Sequence, residues 1–197
     1  ALAEHGYHLS LARLPDKRLM EQGAIPEVLS EYASEGLLIN YNAAIPQALV
    51  DAVQKANAPC IWINSKHEHN CVYFDDFTAA RDATDHLVEL GHERIAFVGT
   101  GGGHHYSFID RQNGYRASLR EKCLPPQTIL RENMNNHTKV DWLREALSEP
   151  DPPTAVLAYN QEDAWAVHRA AEKEQLYVPQ DLSLMTFAAV KCEHGDV

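Results

Sequence analysis

The sequence is poor in several things that would announce a function. It carries 17 Lys and Arg against 28 Asp and Glu, a formal net charge of −11, and the cations are dispersed. Binding a nucleic-acid duplex requires clustered Lys and Arg that displace counterions, so this segment is not expected to bind nucleic acid by itself. Its four cysteines, Cys60, Cys71, Cys123 and Cys192, form no CxxC pair. That argues against zinc and a disulfide framework and for reduced thiols in a cytoplasmic protein. No apolar run approaches the roughly 20 residues that cross a bilayer. The first ten residues, "ALAEHGYHLS", lack the basic-then-apolar layout of a signal peptide. There is no GxSxG elbow, no HExxH, no low-complexity segment and no solenoid repeat.

What is present is an alternation of two patterns. "GYHLSLA", "GLLIN", "PCIWIN", "RIAFVG", "TAVLAYN" and "LSLMTF" are short apolar runs, several bounded by Gly or Pro. Runs of this kind suit strands covered on both faces. Helical periodicity separates them. One helix is expected to start at Pro26, with Val28, Leu29, Tyr32 and Ala33 inward and Gly36 as its stop. A second starts at Pro46 and carries Ala48, Leu49, Ala52, Val53 and Ala56. A third spans residues 79–90, with Ala79, Ala83, Leu87 and Leu90 on one stripe and Gly91 as the stop. Further helices are expected over 110–122, 140–148 and 161–173. Strand-helix alternation with short connections predicts an α/β fold with parallel sheets. "ALAEHG" looks like the last turn of a helix, so an earlier strand is expected ahead of Ala1, and the chain breaks off just after a strand.

The stretch "GTGGGHHYSFIDRQNGY", residues 99–115, invites a phosphate-binding reading because it follows a strand. A dinucleotide fingerprint needs glycine at its sixth position for close helix-strand packing, and that place holds His104. A P-loop needs Gly, Lys and then Ser or Thr, where this chain has His104, His105 and Tyr106. His104 and His105 are adjacent and point apart on extended chain, and "HEH" at 67–69 lacks a third and fourth ligand. Neither a metal nor a cofactor is expected. Asp75-Asp76 stands in a strand-to-helix turn, where Asp76 fits helix capping and ligand binding equally.

Three segments taken together carry a resemblance. They are residues 72–99, "VYFDDFTAARDATDHLVELGHERIAFVG", residues 110–119, "DRQNGYRASL", and residues 152–187, which end in "VPQDLSLMTF". In order and spacing they resemble the effector-binding core of LacI-type transcriptional regulators. That family's pattern runs through a strand ending in Asp, a helix, Leu-Gly-His-x-x-Ile-Ala, Arg-x-x-Gly-Tyr, a strand ending in Asn, and Val-Pro-x-Asp-Leu-Ser. The likeness is looser but readable from Ala1 onward. It implies two Rossmann-like lobes of a periplasmic-binding-protein-like fold: residues 1–91 as the N-terminal lobe without its first strand, and 92–197 as an incomplete C-terminal lobe. It also implies a homodimer, a small-molecule effector of the sugar or nucleoside class, no catalytic step, and operator DNA contacted only through an N-terminal headpiece absent from this sequence.

In α/β lobes, ligands bind at the C-terminal ends of strands, where loops are free to carry polar groups. A polyol needs carboxylate, amide and guanidinium partners and an aromatic face. Asp76, Phe77, Tyr106, Arg111, Asn160 and Phe187 supply those types. Arg111 matches the family's effector-binding arginine, with an ion pair to Asp110 or Asp76 as the alternative. Asn160 matches the strand-end asparagine and also fits a helix N-cap before "QEDA". Trp165 falls on the flank of a stripe formed by Ala164, Val167, His168 and Ala171. It fits either a cover for its own lobe or an anchor of the dimer interface. The chain departs from the pattern at Ala188, where a hydroxyl-binding Asp is common, and at Gln161, where Asp is frequent. These departures touch the usual hexose contacts and leave an untypical sugar, a nucleoside and an altered effector response all open. An extracytoplasmic solute-binding protein of the same fold, and an enzyme using the glycine loop, are the competing readings.

Overall fold

The computed structural model describes residues 3–11, 13, 15–19, 21, 23–41, 45–99, 105–130 and 136–187. The chain divides into two compact units, residues 1–73 and 74–197.

In the first unit a 3₁₀ turn, Ala3–His5, is followed by α1 (Asp16–Leu19), α2 (Ala24–Glu31), β1 (Leu37–Asn40), α3 (Gln47–Ala56), β2 (Cys60–Ile63) and β3 (Cys71–Val72). The strands form a parallel sheet in the order β1-β2-β3. Ile25, Leu49, Val53 and Trp62 are its buried core. Only one sheet face is filled: Leu38 and Ile61, partners across β1 and β2, are 55% and 43% exposed. The expectation of strands covered on both faces is therefore corrected for this unit. α2 starts two residues before Pro26, behind a left-handed Gly23 (φ 84), and turns back at Ala33 (φ 48) rather than Gly36. Its buried side is Ala24, Ile25 and Val28, while Tyr32 and Ala33 are exposed. On α3, Ala48 is likewise exposed. "GYHLSLA" alternates as a strand would, yet its described residues pair with no strand, and Tyr7, Leu9 and Leu11 are exposed. Alternation alone does not make a strand when no neighbour takes its backbone hydrogen bonds.

The second unit comprises α4 (Asp76–Glu89), β4 (Ile95–Gly99), α5 (Tyr106–Glu121), β5 (Gln127–Leu130), α6 (Asn136–Leu147), β6 (Ala155–Ala158), α7 (Gln161–Lys173) and β7 (Ser183–Thr186). All strand pairs are parallel, in the order β5-β4-β6-β7. Here β4 and β6 are buried throughout and β7 is partly buried, and the two-residue period sorts their side chains. Ile95 and Phe97 of β4 with Ala155 and Leu157 of β6 pack with Leu87, Phe108, Tyr115 and Leu119 of α4 and α5. Ala96, Val98 and Val156 face Val140, Leu143 and Leu147 of α6 and Ala166, Val167 and Ala170 of α7. Helices on both faces of a parallel sheet are what such runs predict.

The recurring motifs have local tasks. His92 bridges Thr154 Oγ1 and Ser183 Oγ, each at 2.9 Å, and so ties the entry to β4 to the starts of β6 and β7. In "VPQDLS", Asp181 accepts from the Tyr177 N–H at 2.8 Å and closes the loop that delivers buried Leu182. Tyr115 is fully buried. Its hydroxyl accepts from the Gln127 N–H (2.8 Å) and reaches the Ile95 carbonyl (2.7 Å), stitching α5 to β4 and β5. Burial raises its pKa to about 12.

α4 and α5 pack without space between them. A Cβ at Gly114 would lie 2.2 Å from the Phe77 carbonyl oxygen, 3.0 Å from the Arg81 nitrogen and 3.1 Å from Ala80 Cβ. The buried stripe of α4 is accordingly Asp76, Ala80, Thr84 and Leu87; of the expected stripe, Leu87 is buried and Ala83 packs on the core, while Ala79 and Leu90 are exposed. Thr84 is tolerated there because its hydroxyl donates to the Ala80 carbonyl at 2.7 Å. Likewise α7 buries Asp163, Ala166, Val167, Ala170 and Ala171, a stripe rotated from the expected one. Relieving the contact at Gly114 requires moving backbone, and overpacking typically costs about 1–3 kcal/mol or more. Gly114→Ala is therefore expected to lower the unfolding free energy from urea titration by about 1–3 kcal/mol or more, with a lower midpoint. An unchanged midpoint would show that the helices separate freely.

Candidate functional site

The site is assembled on the second unit where β4, β6 and β7 end. Asp76 opens α4. The N-cap is its neighbour Asp75, whose Oδ1 accepts from the Thr78 N–H at 3.1 Å. Of the two expected readings for Asp76, capping therefore falls to Asp75. Asp76 itself is 3% exposed and turns to α5. There Arg111 Nε donates to Asp76 Oδ1 at 2.6 Å, and the second nitrogen of its fork lies 2.6 Å from the same oxygen. The ion-pair alternative for Arg111 is thus present, with Asp76.

The guanidinium is held from other sides as well. It donates to the Tyr159 carbonyl oxygen at 2.6 Å, just beyond β6. Its central carbon lies 5.0 Å from the centre of the Tyr159 ring and 4.3 Å from that of Phe187, just beyond β7. A planar, weakly hydrated cation stacks well on aromatic faces. Two consequences follow. The arginine is locked in one geometry before any ligand arrives, and its fork keeps N–H groups beyond those engaged by Asp76 and Tyr159. Asp76 Oδ2 is buried and lacks a hydrogen bond of good geometry. The Tyr106 hydroxyl is a further donor beside this carboxylate, and the two side chains interact by charge and by a hydrogen bond.

The remaining expected residues take distinct places. The Tyr106 hydroxyl accepts from the Phe74 N–H at 3.2 Å. Its pKa is raised by burial, and further by the Asp76 carboxylate, through its charge and through a hydrogen bond between the two side chains. Phe77 follows Asp76 and is 37% exposed; the aromatic faces against Arg111 belong to Tyr159 and Phe187. Asn160 is the N-cap of α7, its Oδ1 accepting from the Asp163 N–H at 2.8 Å. That cap engages the side-chain oxygen. Trp165 stands on the outer side of α7, 47% exposed. Gln161 is exposed at the start of the same helix. Gly101, Gly102, Gly103, His104, Ala188 and Cys192 lie outside the described residues.

Sequence reasoning missed a polar chain behind Arg111. The Tyr159 hydroxyl lies 3.0 Å from Ser107 Oγ, which lies 2.6 Å from Nδ1 of buried His105. The Tyr159 ring also meets Phe108 edge-on at 5.0 Å. Tyr159 therefore touches Arg111 with its ring and its carbonyl while its hydroxyl is tied to α5. Its position one residue before a strand-end asparagine was the available signal. Among the described residues no group of three or more His, Cys, Asp or Glu could hold a metal ion, and no helix is long and apolar enough to cross a membrane.

A parallel α/β unit that presents a clamped guanidinium, a buried carboxylate and aromatic faces at its strand ends has the chemical make-up of a small-ligand site. The chain belongs to the family of periplasmic binding protein-like domains, whose sequence model matches residues 84–192, and within it to the LacI type of effector-binding domain. It is 27% identical over 192 residues to the HTH-type transcriptional repressor CytR of Escherichia coli K12, a match covering 94% of this chain and 55% of the repressor. The chain thus spans about half the length of the curated relatives it matches. It resembles the crystal structure of a LacI family transcriptional regulator from Mycobacterium smegmatis, with TM-score 0.73 and 25% identity, covering 94% of this chain and 69% of that one. It also resembles a LacI family regulator from Enterococcus faecium with bound ribose, with TM-score 0.64 and 24% identity, covering 80% and 59%.

The Asp76–Arg111 pair is load carried by the ligand-free domain as well. Removing one partner of a buried pair strands the other and costs about 3–5 kcal/mol. Asp76→Asn keeps the shape and loses the charge, and is expected to lower the unfolding free energy from urea titration by about 3 kcal/mol, with a lower midpoint. An unaltered midpoint would mean that Arg111 is satisfied by Tyr159 and solvent alone.

Proposed function

We infer that the chain is the ligand-sensing and dimerising part of a LacI-type transcriptional regulator, and that it binds a small polyhydroxylated molecule, a sugar or a nucleoside, at Asp76, Arg111 and Asn160. One observation carries this reading: a guanidinium held against two aromatic rings beside a buried carboxylate at the ends of the strands. A sugar hydroxyl can donate to Asp76 Oδ2 and accept from the arginine fork in one plane. Tyr106, Phe77 and Phe187 supply apolar or phenolic surface at the same strand ends. The bound ribose of the Enterococcus faecium protein supports the class of ligand.

The domain performs no chemical step in this reading. Ligand occupancy biases its conformation, and a DNA-binding headpiece elsewhere in the full-length cytoplasmic protein responds. The strongly acidic charge agrees with that division of labour, because DNA is then contacted by a different segment. The regulator acts as a homodimer, and the exposed Trp165 on α7 anchors the contact between copies. Large aromatic residues dominate such contacts energetically.

A ligand that binds the folded state raises its melting temperature, by about 2.7 kcal/mol of added stability at a hundredfold excess over Kd. Thermal melting with D-ribose, other pentoses, hexoses, and purine and pyrimidine nucleosides is expected to give a shift with at least one of them. Arg111→Lys keeps a cation beside Asp76 but loses the planar fork, and should abolish that shift. A full shift in the lysine variant would remove Arg111 from the site. Sedimentation velocity tests the assembly: Trp165→Ser is expected to move the domain from dimer towards monomer, and an undisturbed dimer would place the interface elsewhere.

A further inference from the structure

A second buried ion pair lies outside the cluster around Arg111. Lys139 of α6 and Asp163 of α7 meet at 3.2 Å, with side chains 7% and 1% exposed. Two charges are not withdrawn from water to this extent without consequence for the elements that carry them. Their attraction offsets desolvation only while the geometry is kept, and loss of either strands the other. The geometry in question is that of the first turn of α7. Asp163 is its third residue, and the backbone N–H of that same residue is the donor capped by Asn160 Oδ1. The ammonium and the amide side chain thus grip one residue, the first through its carboxylate and the second through its backbone.

We propose that Lys139 is a positioning residue for the ligand site: by holding Asp163 it fixes the start of α7, commits the Asn160 oxygen to the cap, and so directs the Asn160 amide group to the ligand. The assignment rests on Asn160 being a ligand-contacting residue. Without the ammonium, the buried Asp163 carboxylate loses its cationic partner, and the turn that carries it loses its link to α6. That loss disturbs the turn, and the amide group of Asn160 is a donor within the same turn. No expected site residue lies on α6, so the pair extends the binding apparatus to a helix that sequence reasoning left outside it.

The test is amide hydrogen exchange by NMR on the ligand-free domain, together with D-ribose titration. In Lys139→Met the Asp163 N–H should lose protection by about tenfold or more, equivalent to roughly 1.4 kcal/mol, while the N–H groups of Ala166 and Ala170 keep theirs. Ribose affinity should fall by a similar factor. Lys139→Arg, which retains a buried cation, should recover both. If Lys139→Met does not fold, Asp163→Asn removes the opposite charge with little change of shape and should show the same local loss. Protection retained at residue 163 overturns the proposal. So does a uniform loss along α6 and α7 with unchanged ribose affinity, which is the signature of a purely structural pair. If the unaltered domain fails to bind ribose or any of the panel, the functional reading fails on its own evidence. The exchange measurement, made without ligand, still decides whether Lys139 holds the cap.

Discussion

The close approach of α4 and α5 at Gly114 is the constraint on which the second unit depends. Because no Cβ stands there, the Phe77 carbonyl and the Ala80 side chain can seat against α5. One turn away, Asp76 is then near enough for Arg111 to grip it at 2.6 Å. A helix spacing set by one missing methyl group thus becomes the spacing of the two most important charges in the site. Tyr115, next to Gly114, holds the same helix to the sheet through its buried hydroxyl. Helix, sheet and charge pair are therefore positioned by residues 111–115, less than two turns of α5.

The site is rigid for the same reason that it is polar. Arg111 is engaged by a carboxylate, a backbone carbonyl and two rings contributed from α4, the end of β6 and the end of β7. Each of those contacts is modest, and together they leave the guanidinium one orientation. A ligand that meets such a group does not have to order it, which is the main advantage of preorganisation in binding. The Lys139–Asp163 pair repeats the device between α6 and α7: a charge pair is buried on the residue whose N–H the Asn160 side chain caps.

Much of the architecture was legible in the sequence. "RIAFVG" and "TAVLAYN" read as strands covered on both faces, and they are, because each lies inside a four-stranded sheet between two helix layers. The helix over 161–173 carries its own start signal in Asn160 and appears with those bounds. Errors arose where periodicity was asked to choose a face. On α4 the apolar residues suggest Ala79 and Leu90, but the neighbour that decides is α5, and it selects Ala80 and Thr84. "GYHLSLA" failed as a strand for want of a partner, and "QTIL" became one (β5) because β4 supplied it. The compact units divide at residue 73, whereas the lobe boundary expected from sequence lies at residue 91. Packing against α5 brings α4 into the second unit.

For the site, the sequence by itself determined which chemical groups were available: a carboxylate and an arginine 35 residues apart, an asparagine ahead of a helix, and aromatic residues at strand ends. It also determined their family resemblance, since motif order and spacing are properties of the chain. Only the tertiary structure decided that Asp75 caps α4 while Asp76 pairs with Arg111, that Tyr159 rather than Phe77 stacks on the guanidinium, and that Lys139 shares a buried pair with Asp163. These are choices between neighbours of equal chemical aptitude. Adjacent side chains on a helix point about 100° apart, so the partner is selected by whichever element lies across the gap, and that element is remote in sequence.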